Sequence, residues 1–177
     1  MHPTTLIIGG CRSGKSRHAL ELGNAINTHR KLFVATCVPR DTEMHARVQR
    51  HRQERGSDWE TVEVPMDLAE ALHQQGPGMD LAVVDCLTLW VSNLLLAHET
   101  EPLAIDRQVS DLCALLSSPP CPLILVTNEV GAGIVPDNQL ARRYRDLAGH
   151  TNQQVATACR RVIWMVAGIP VPIKTAV

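Results

Sequence analysis

Eight consecutive residues near the N-terminus have the types and the spacing that bind the phosphate groups of a nucleotide. The stretch consists of Gly9, Gly10, Cys11, Arg12, Ser13, Gly14, Lys15 and Ser16. It matches the pattern G-x-x-x-x-G-K-[ST] at all of its fixed positions, which are Gly9, Gly14, Lys15 and Ser16. In such a loop, backbone N–H groups and the positive end of a helix surround the phosphates, the lysine reaches the β- and γ-phosphates, and the last hydroxyl binds Mg²⁺. We therefore predict a nucleotide site with Lys15 as a catalytic residue and Ser16 as a metal ligand.

The residues on either side of this loop strengthen the interpretation. Residues 5–8 are apolar enough for a short buried strand, and residues 17–22 are typical of a helix. A strand, a glycine-rich loop and a helix in this order are the context that the motif requires. The alternative, a glycine-rich turn that binds nothing, does not account for all of these features together.

The composition argues against several other classes of protein. With 177 residues, 45% of them hydrophobic, and a formal net charge of −1, the chain fits one domain (residues 1–177) without the basic excess of a nucleic-acid binder. Aromatic residues make up 3%, too few for the stacking surfaces that single-stranded nucleic acid needs. The sequence has no apolar run long enough to cross a membrane and no signal peptide, and its six cysteines contain no C-x-x-C pair. We expect a cytoplasmic protein that binds neither nucleic acid nor a membrane.

Apolar runs alternate with helical patterns along the chain. We predict strands at residues 5–8, 31–36, 59–64, 81–84, 123–126 and 162–166, and further helices at about 42–55, at 68–72, from 87, at 105–116 and from 136. Since several strands are uniformly apolar, they are expected to form a mostly parallel sheet with helices on both faces, a three-layer α/β fold. Pro170 and Pro172, two residues apart in the last apolar run, indicate a C-terminal strand at the edge of the sheet.

Polar residues follow several of these strands, at the end where an α/β sheet binds its ligands. Asp85 follows the strand at 81–84 and is predicted to assist Mg²⁺, although an aspartate there could instead cap the helix that begins near Leu87. Glu129 follows the strand at 123–126, where it could orient a substrate hydroxyl, polarise a water or face the metal. It could equally be a solvated loop residue, so the sequence leaves its role open.

A charged segment between two predicted strands contains a candidate nucleophile. On a helix, Met44, Val48 and His51 would share one face because they are spaced i, i+4 and i+7, whereas His45 would point about 100° away from Met44. A neutral imidazole can attack phosphorus, and arginines at positions 47, 50, 52 and 55 would surround His51 with phosphate-binding cations. The alternative is an exposed helix whose arginines pair with solvent or with Glu54.

Arg142, Arg143 and Arg145 form a second basic cluster, on the helix predicted from residue 136. Guanidinium groups match the geometry of phosphate, so these residues could clamp a phosphate group. A run of this kind can equally be the solvated face of a helix. The sequence does not distinguish the two interpretations.

Taken together, these segments resemble the bifunctional adenosylcobinamide kinase / adenosylcobinamide-phosphate guanylyltransferase family of cobalamin biosynthesis. The resemblance extends over nearly the whole chain. It rests on the phosphate loop through Arg17, Ala35-Thr36, residues 41–44 with Arg47 and His51-Arg52, residues 59–63, residues 85–88 with Asn93-Leu94, residues 127–131 with 133–136, and Arg145-Asp146 with Gly149 and Asn152-Gln153. The segments at 127–136 and 43–52 are much more particular to this family than the phosphate loop is.

The resemblance implies two successive reactions on one P-loop, RecA-like domain. ATP or GTP first phosphorylates the aminopropanol hydroxyl of adenosylcobinamide. GTP then reacts with an enzyme histidine to give a GMP–histidine intermediate and pyrophosphate, and the GMP passes to adenosylcobinamide phosphate to give adenosylcobinamide-GDP. The family's guanylylated histidine matches His51, which the helical spacing also selects over His45.

The resemblance also implies further binding residues and partners. Beyond the phosphate loop, the nucleotide is expected to contact Thr36, Cys37, Val38, Arg52, Glu63 and Asp85. The expected cofactor is Mg²⁺, held by Ser16 and Asp85, and the expected substrates are the corrinoid, GTP and ATP. A homotrimer is the expected assembly. Two other classes stay open on the residues alone: a P-loop kinase of another small metabolite without a covalent intermediate, and a RecA-like nucleotide switch.

Overall fold

A computed structural model describes residues 2–38 and 58–175 of the chain. Its strands are β1 (Thr4–Gly9), β2 (Lys31–Ala35), β3 (Trp59–Glu63), β4 (Leu81–Asp85), β5 (Leu123–Asn128), β6 (Arg161–Val166) and β7 (Ile169–Lys174). Its helices are α1 (Lys15–Asn24), α2 (Leu68–Gln75), α3 (Leu87–Ala97), α4 (Pro102–Ser117) and α5 (Gln139–Ala158). Every strand and helix predicted within these residues is present, with ends that differ by at most three residues.

Strand β1, which leads into the phosphate loop, lies inside the sheet between β5 and β6. The described sheet has the order β3-β2-β4-β5-β1-β6-β7, and every adjacent pair is parallel except β6 with β7. The register places Gly9 beside Asn128, and Ala35 beside both Asp85 and Glu63. The predicted parallel sheet is confirmed, and the carboxyl ends of these strands meet at one edge.

Helices cover both faces of the sheet. On one face, side chains of the central strands pack against α2, α3, α4 and α5 in the larger core. On the other face, Ile7 and Phe33 pack with Ala19 of α1 in a smaller core. Neighbouring residues of one strand therefore enter different cores, as Leu6 and Ile7 do, and both are fully buried. This burial explains why the central strands are continuous apolar runs in the sequence, and it confirms the three-layer α/β fold.

Strand β7 lies at the end of the sheet, as its two prolines predict. It pairs antiparallel with β6 through a turn formed by Ala167 and Gly168, whose φ angles are 50° and 84°. Two successive residues with positive φ are the requirement of a tight two-residue hairpin. Within the described sheet β7 has one neighbour, so a strand that lacks two N–H donors is tolerated there.

The longest described helix begins three residues later than the sequence predicts. Helix α5 starts at Gln139 because the side chain of Asn138 accepts a hydrogen bond from the N–H of Ala141 at 3.1 Å, which caps the helix. Pro136 stays in the preceding loop. Leu140 is 37% exposed because it lies in this first turn, ahead of the buried part of the helix.

Helix α4 buries one apolar face, whose four residues are at most 3% exposed: Ile105, Val109, Leu112 and Leu116. The helix predicted at about residues 42–55 lies outside the described residues. Among the helices that the structure describes, none is both long and apolar enough to span a bilayer.

Candidate active site

The phosphate loop leaves β1 at a glycine that no other residue could replace without a shift. A Cβ atom on Gly9 would lie 2.5 Å from the carbonyl oxygen of Met165 and 2.8 Å from the Oγ of Ser13. The loop then turns back, with the N–H of Ser13 donating to the carbonyl of Gly10 at 3.3 Å. Gly14, at the start of α1, has a φ of 94°, which favours glycine. The loop therefore depends on its glycines for close approach and for a left-handed backbone.

The N-terminus of α1 is built to receive an anion. Its N-cap residue is Gly14, which has no side chain, and no side-chain hydrogen bond caps the first turn. The N–H groups of that turn are thus left for another acceptor, and the helix dipole favours a negative one. Gly168, in the turn between β6 and β7, donates its N–H to the carbonyl of Ser13 at 3.1 Å and so holds the loop from the side.

Lys15 lies inside this loop and is 7% exposed. Its Nζ donates to the carbonyl oxygen of Gly10 at 2.6 Å and to the Oγ of Ser13 at 3.4 Å. Burial lowers the pKa of Lys15, while the negative charge of Asp85 acts in the opposite direction. The predicted phosphate-binding cation and the predicted metal carboxylate are therefore close enough to interact electrostatically.

Asp85 ends β4 and is followed by Cys86, to which it is joined by a cis peptide bond. The N-cap of α3 is Cys86, so the alternative of Asp85 as a helix cap has no support in the structure. Within the described residues, no group of three or more His, Cys, Asp or Glu side chains could hold a metal ion. Mg²⁺ in a nucleotide site does not need such a cluster, because one or two protein oxygens suffice when phosphates and waters supply the other ligands. Ser16 and Asp85 offer such oxygens.

Thr36 follows β2 and is completely buried. Its Oγ1 donates to the carbonyl of Cys86 at 2.7 Å and accepts from the N–H of Cys86 at 2.9 Å. These contacts give Thr36 a role in holding the backbone beside Asp85, and its direct contact with nucleotide stays a prediction. The next two predicted contacts, Cys37 and Val38, are half-buried and exposed respectively, and they directly precede the part of the chain that is not described.

Asn93 of α3 joins two chain segments at this edge of the sheet, a role that was not predicted from the sequence. Its Nδ2 donates to the carbonyl of Thr36 at 2.9 Å and to the carbonyl of Pro65 at 3.0 Å. One amide thus joins the chain after β2 to the chain after β3. Its position in one of the segments that carry the family resemblance is the feature of the sequence that could have pointed to it.

Glu63 is the last residue of β3 and is exposed. It borders a cleft of about 270 Å³ that is also lined by Pro65, Asp67 and Glu70. The register puts β3 two strands away from β4, on the far side of β2. Glu63 is therefore at the same edge of the sheet as Asp85 and at a distance from the phosphate loop, where the base of a nucleotide could extend.

The candidate nucleophile His51, the alternative His45 and the predicted nucleotide contact Arg52 lie outside the described residues. Their roles stay predictions. The described chain stops at Val38 and resumes at Asp58, so the segment that contains them begins directly after the carboxyl end of β2.

Glu129 follows β5 and is exposed at the same edge as the phosphate loop. Its N–H donates to the carbonyl of Gly9 at 3.0 Å, and its Oε1 accepts from the N–H of Gly131 at 2.9 Å. Since β5 lies between β1 and β4 in the sheet, Glu129 extends from the strand that separates the loop from Asp85. The structure brings Glu129 to the site, and the sequence left its role open.

Buried amides and hydroxyls fix the end of β5. The N–H and Nδ2 of Asn128 both donate to the Oγ1 of Thr88 at 3.2 Å, and the carbonyl of Asn128 accepts from the Nδ2 of Asn152 at 3.1 Å. The Oδ1 of Asn152 accepts from the Oγ1 of Thr127 at 2.7 Å. These bonds tie β5 to α3 and α5, so Glu129 is carried on a rigid support.

The basic cluster of α5 is mostly used for backbone contacts. Arg142 donates to two carbonyls of the loop before α5, at 2.9 and 2.6 Å, and Arg143 donates to the carbonyl of Glu99 at 3.0 Å. Arg145 lies 3.9 Å from a carboxylate oxygen of Asp146. The contacts of Arg142 and Arg143 favour a structural role over a phosphate clamp.

A family model described as cobinamide kinase / cobinamide phosphate guanyltransferase matches residues 5–173. Among curated relatives, the bifunctional adenosylcobalamin biosynthesis protein CobP of Pseudomonas aeruginosa is 42% identical over 173 residues, covering 96% of both chains. The corresponding CobU protein of Escherichia coli is 41% identical over 180 residues, covering 96% of this chain and 98% of the relative.

Among solved structures, the flagellar accessory protein FlaH from Methanocaldococcus jannaschii has a TM-score of 0.56 with 12% sequence identity. The match covers 98% of this chain and 79% of that one. At this identity the likeness supports the fold alone. The sequence matches go further, because they extend along nearly the whole length of the chain: it belongs to the cobinamide kinase / cobinamide phosphate guanyltransferase family.

Proposed function

We propose that this chain catalyses both reactions named in its family's description. It phosphorylates adenosylcobinamide with ATP or GTP, and it then transfers GMP from GTP to adenosylcobinamide phosphate, giving adenosylcobinamide-GDP and pyrophosphate. The observation that carries the proposal is the buried Lys15 in a complete phosphate loop, with Asp85 at the end of β4, two strands away from β1, close enough to act on it electrostatically. The two relatives described above, which are 42% and 41% identical to this chain, are both named bifunctional.

In the kinase step, the chain's own groups bind the triphosphate and neutralise the charge that develops during transfer. The N–H groups of the loop and of the first turn of α1 surround the phosphates, and the ammonium of Lys15 approaches their β- and γ-oxygens. Mg²⁺, held by Ser16 and Asp85, would neutralise further phosphate charge when bound. Removal of one hydrogen-bond donor to the charge that develops in a transition state typically lowers kcat by about 10²- to 10³-fold.

In the guanylyl step, the nucleophile is His51. A neutral imidazole nitrogen attacks the α-phosphorus of GTP, an N–P bond forms, the bond from the α-phosphorus to the bridging oxygen breaks, and pyrophosphate leaves with that electron pair. A phosphate oxygen of adenosylcobinamide phosphate then attacks the same phosphorus, and the N–P bond breaks to restore the imidazole. The proposal rests on the family match and on the helical spacing that selects His51.

The remaining nucleotide contacts are proposed along the carboxyl edge of the sheet. Cys37 and Val38 follow β2, Glu63 ends β3, and Arg52 is one residue from the nucleophile. Thr36 contributes through the backbone that it fixes. This arrangement would let the triphosphate lie over β1 and β5 while the base extends toward β3.

The proposed assembly is a homotrimer, and its supporting observation is an uncovered apolar face on the hairpin of β6 and β7. We call this surface the hairpin face; its five residues are 39% to 64% exposed: Trp164, Val166, Ile169, Val171 and Ile173. They share one side of the hairpin because Trp164 pairs with Val171 and Val166 with Ile169. Exposed apolar patches of this kind mark association surfaces.

Light scattering tests the assembly. A trimer has a mass of about 58 kDa, three times the 19.4 kDa of one chain. Trp164→Asp is expected to reduce the mass, while Leu103→Asp, a matched change at a residue 70% exposed on α4, is expected to leave it unchanged. A wild-type mass of one chain would refute the proposed assembly.

The proposed location is the cytoplasm. All six cysteines are described, and each is a free thiol, including the exposed Cys11 in the phosphate loop. Free thiols suit a reducing compartment. Fractionation of cells that express the tagged chain tests this location.

The experiment that tests the function uses GTP labelled on its α-phosphorus, with Mg²⁺ and without corrinoid. Wild-type protein is expected to acquire acid-labile, base-stable label and to release pyrophosphate, as a phosphoramidate requires. His51→Ala is expected to acquire none. His45→Ala serves as the matched control and is expected to label normally. Label in His51→Ala but not in His45→Ala would move the nucleophile to His45, and no label in any protein would refute guanylyl transfer.

A further inference from the structure

A second and larger cleft of about 480 Å³ lies between α5 and the end of the sheet formed by β1, β6 and β7. Its base is apolar and includes the half-buried Ile8 and Ala156, while one wall is the polar side of α5. This wall is lined by residues that carry the family resemblance and have no role in the nucleotide site: Arg145, Asp146, Gly149, Asn152 and Gln153. A volume of this size with an apolar base and a few polar groups is typical of a small-molecule site.

The end of the cleft at the carboxyl edge of the sheet, called its upper end below, reaches the phosphate site. Glu129 and Gly131 border it there, and the N–H of Glu129 is bonded to the carbonyl of Gly9, the first residue of the phosphate loop. Glu129 thus belongs to both places. A molecule that lies along α5 would present its upper end beside the phosphates.

We propose that this cleft is the binding site for the amide-bearing arms of the corrinoid, and that Glu129 at its upper rim is the catalytic base of the kinase step. The inference rests on the proposed function and assigns the acceptor side of that site. A corrinoid carries several carboxamide arms and one arm that ends in the aminopropanol hydroxyl. Carboxamides need both donors and acceptors, which Gln153, Arg145 and Asp146 supply on one wall, while the apolar base accommodates the methylene groups and the edge of the ring.

The proposed kinase step balances with Glu129 as proton acceptor. The hydroxyl oxygen of the aminopropanol arm attacks the γ-phosphorus, a new O–P bond forms, and the bond from the γ-phosphorus to the bridging oxygen breaks. That electron pair stays on the nucleoside diphosphate, and the hydroxyl proton passes to the carboxylate of Glu129. The bond from Gly131 to Oε1 orients the carboxylate and leaves its other oxygen as the acceptor.

Gly149 offers a way to fill the cleft without damaging the fold. It lines the cleft on α5, and a Cβ atom added to it would meet no heavy atom within 4 Å. Leucine is a better helix former than glycine, so Gly149→Leu should not weaken the helix. Gly149→Leu would project into the cleft, and Gln154→Leu, at an exposed position of the same helix that does not line the cleft, is the matched control.

Kinase kinetics and α-phosphate labelling by GTP are measured on both variants, since labelling needs no corrinoid and reports the nucleotide site by itself. We expect Gly149→Leu to raise the KM for adenosylcobinamide at least tenfold and to label at the wild-type rate, with Gln154→Leu within twofold of wild type in both. An unchanged KM in Gly149→Leu with normal labelling overturns the assignment of the cleft to the corrinoid and leaves the proposed function intact. Absence of labelling and of kinase activity in the wild type overturns the proposed function as well.

Light scattering on Gly149→Leu separates the corrinoid from a second copy of the chain as the occupant. Ile173 of the hairpin face also borders the cleft, so a partner subunit is the competing candidate. An unchanged mass together with the raised KM supports the corrinoid site. A smaller mass overturns it, because the cleft would then be a subunit contact.

The role of Glu129 is tested with Glu129→Gln, whose side-chain oxygen can still accept the bond from Gly131. A general base contributes about 10²- to 10⁴-fold to a step, so kcat for phosphorylation is expected to fall at least 100-fold while the KM for the corrinoid stays within threefold. Glu129→Asp, which keeps a carboxylate, is expected to retain more activity than Glu129→Gln. A kcat within threefold of wild type in Glu129→Gln overturns the assignment.

Discussion

The hydroxyl of Thr36 contacts both polar backbone groups of Cys86, accepting from its N–H at 2.9 Å and donating to its carbonyl at 2.7 Å. Thr36 is completely buried, so water cannot replace either bond. Cys86 directly follows Asp85, and the N–H of Thr36 in turn donates to the carbonyl of Asp85 at 3.3 Å. One buried threonine thereby fixes the backbone that carries the proposed metal ligand.

Thr36→Val is expected to destabilise the protein and to weaken the kinase. Valine has nearly the same shape but lacks the hydroxyl, which leaves the N–H of Cys86 without that acceptor, whereas the carbonyl of Cys86 keeps its bond from the N–H of Trp90 at 3.2 Å. An unsatisfied buried polar group costs about 1–3 kcal/mol. Urea unfolding should therefore show a lower free energy of unfolding, and kcat should fall because Asp85 is less well held. Thr36→Ser keeps the hydroxyl and is expected to remain near wild type; equal losses in both variants would contradict this account.

Asn93 is expected to affect nucleotide binding although it is not a predicted nucleotide contact. Its amide donates to the carbonyls of Thr36 and Pro65 and so sets the separation of the chain segments after β2 and β3. Asn93→Ala removes both bonds, while Asn93→Asp also places a negative charge against two carbonyl oxygens. The KM for GTP is expected to rise in both variants and further in the aspartate variant, with a smaller change in kcat. A larger KM in Asn93→Ala than in Asn93→Asp would argue against a positioning role.

The phosphate loop and the order of strands and helices could be predicted from the sequence because both depend on local patterns. Gly9 to Ser16 are contiguous, and each central strand is an apolar run that stays visible whatever its neighbours are. The edge position of β7 followed from two prolines alone. Such features need no knowledge of which residues meet in space.

The roles of Thr36, Asn93 and Asn152 could not be predicted in the same way. Thr36 meets Cys86 across 50 positions of sequence, and Asn93 meets Thr36 across 57. Only the register of β2 beside β4 and the packing of α3 bring these groups together. The start of α5 was misjudged for a related reason, since Pro136 is a suitable first-turn residue and Asn138 a suitable N-cap, and in the structure the helix begins after the cap at Asn138.

Gly9→Ala is expected to disturb the phosphate loop, whereas Gly10→Ala should leave the free protein equally stable. A Cβ on Gly9 would lie 2.5 Å from the backbone oxygen of Met165, and one on Gly10 would meet nothing within 4 Å. Overpacking of this kind costs about 1–3 kcal/mol. Thermal unfolding of the two variants tests the difference, and a stable Gly9→Ala protein that still binds GTP would show that the loop can move aside.

Lys15 is expected to reduce the stability of the free protein at neutral pH. Burial lowers the pKa of Lys15 in the folded protein below the ordinary value of 10.5. At any pH between the lowered pKa and 10.5, the unfolded chain therefore binds more protons than the folded one. Stability contributed through this group therefore rises with pH across that window. Removal of the charge by Lys15→Met should raise the free energy of unfolding at pH 7, and the difference from wild type should shrink as the pH approaches 10.5.

Urea unfolding of both proteins from pH 7 upward measures this difference, with Arg107→Met, which removes an exposed cation of α4, as the control. A difference that grows with pH would contradict a lowered pKa. The same Lys15→Met variant should lose kinase activity by about 10²-fold or more, because the charge that destabilises the free loop is the one that binds the triphosphate. More stable protein with less activity is thus the signature expected of a lysine kept for phosphate, since a purely structural lysine would lower both when replaced.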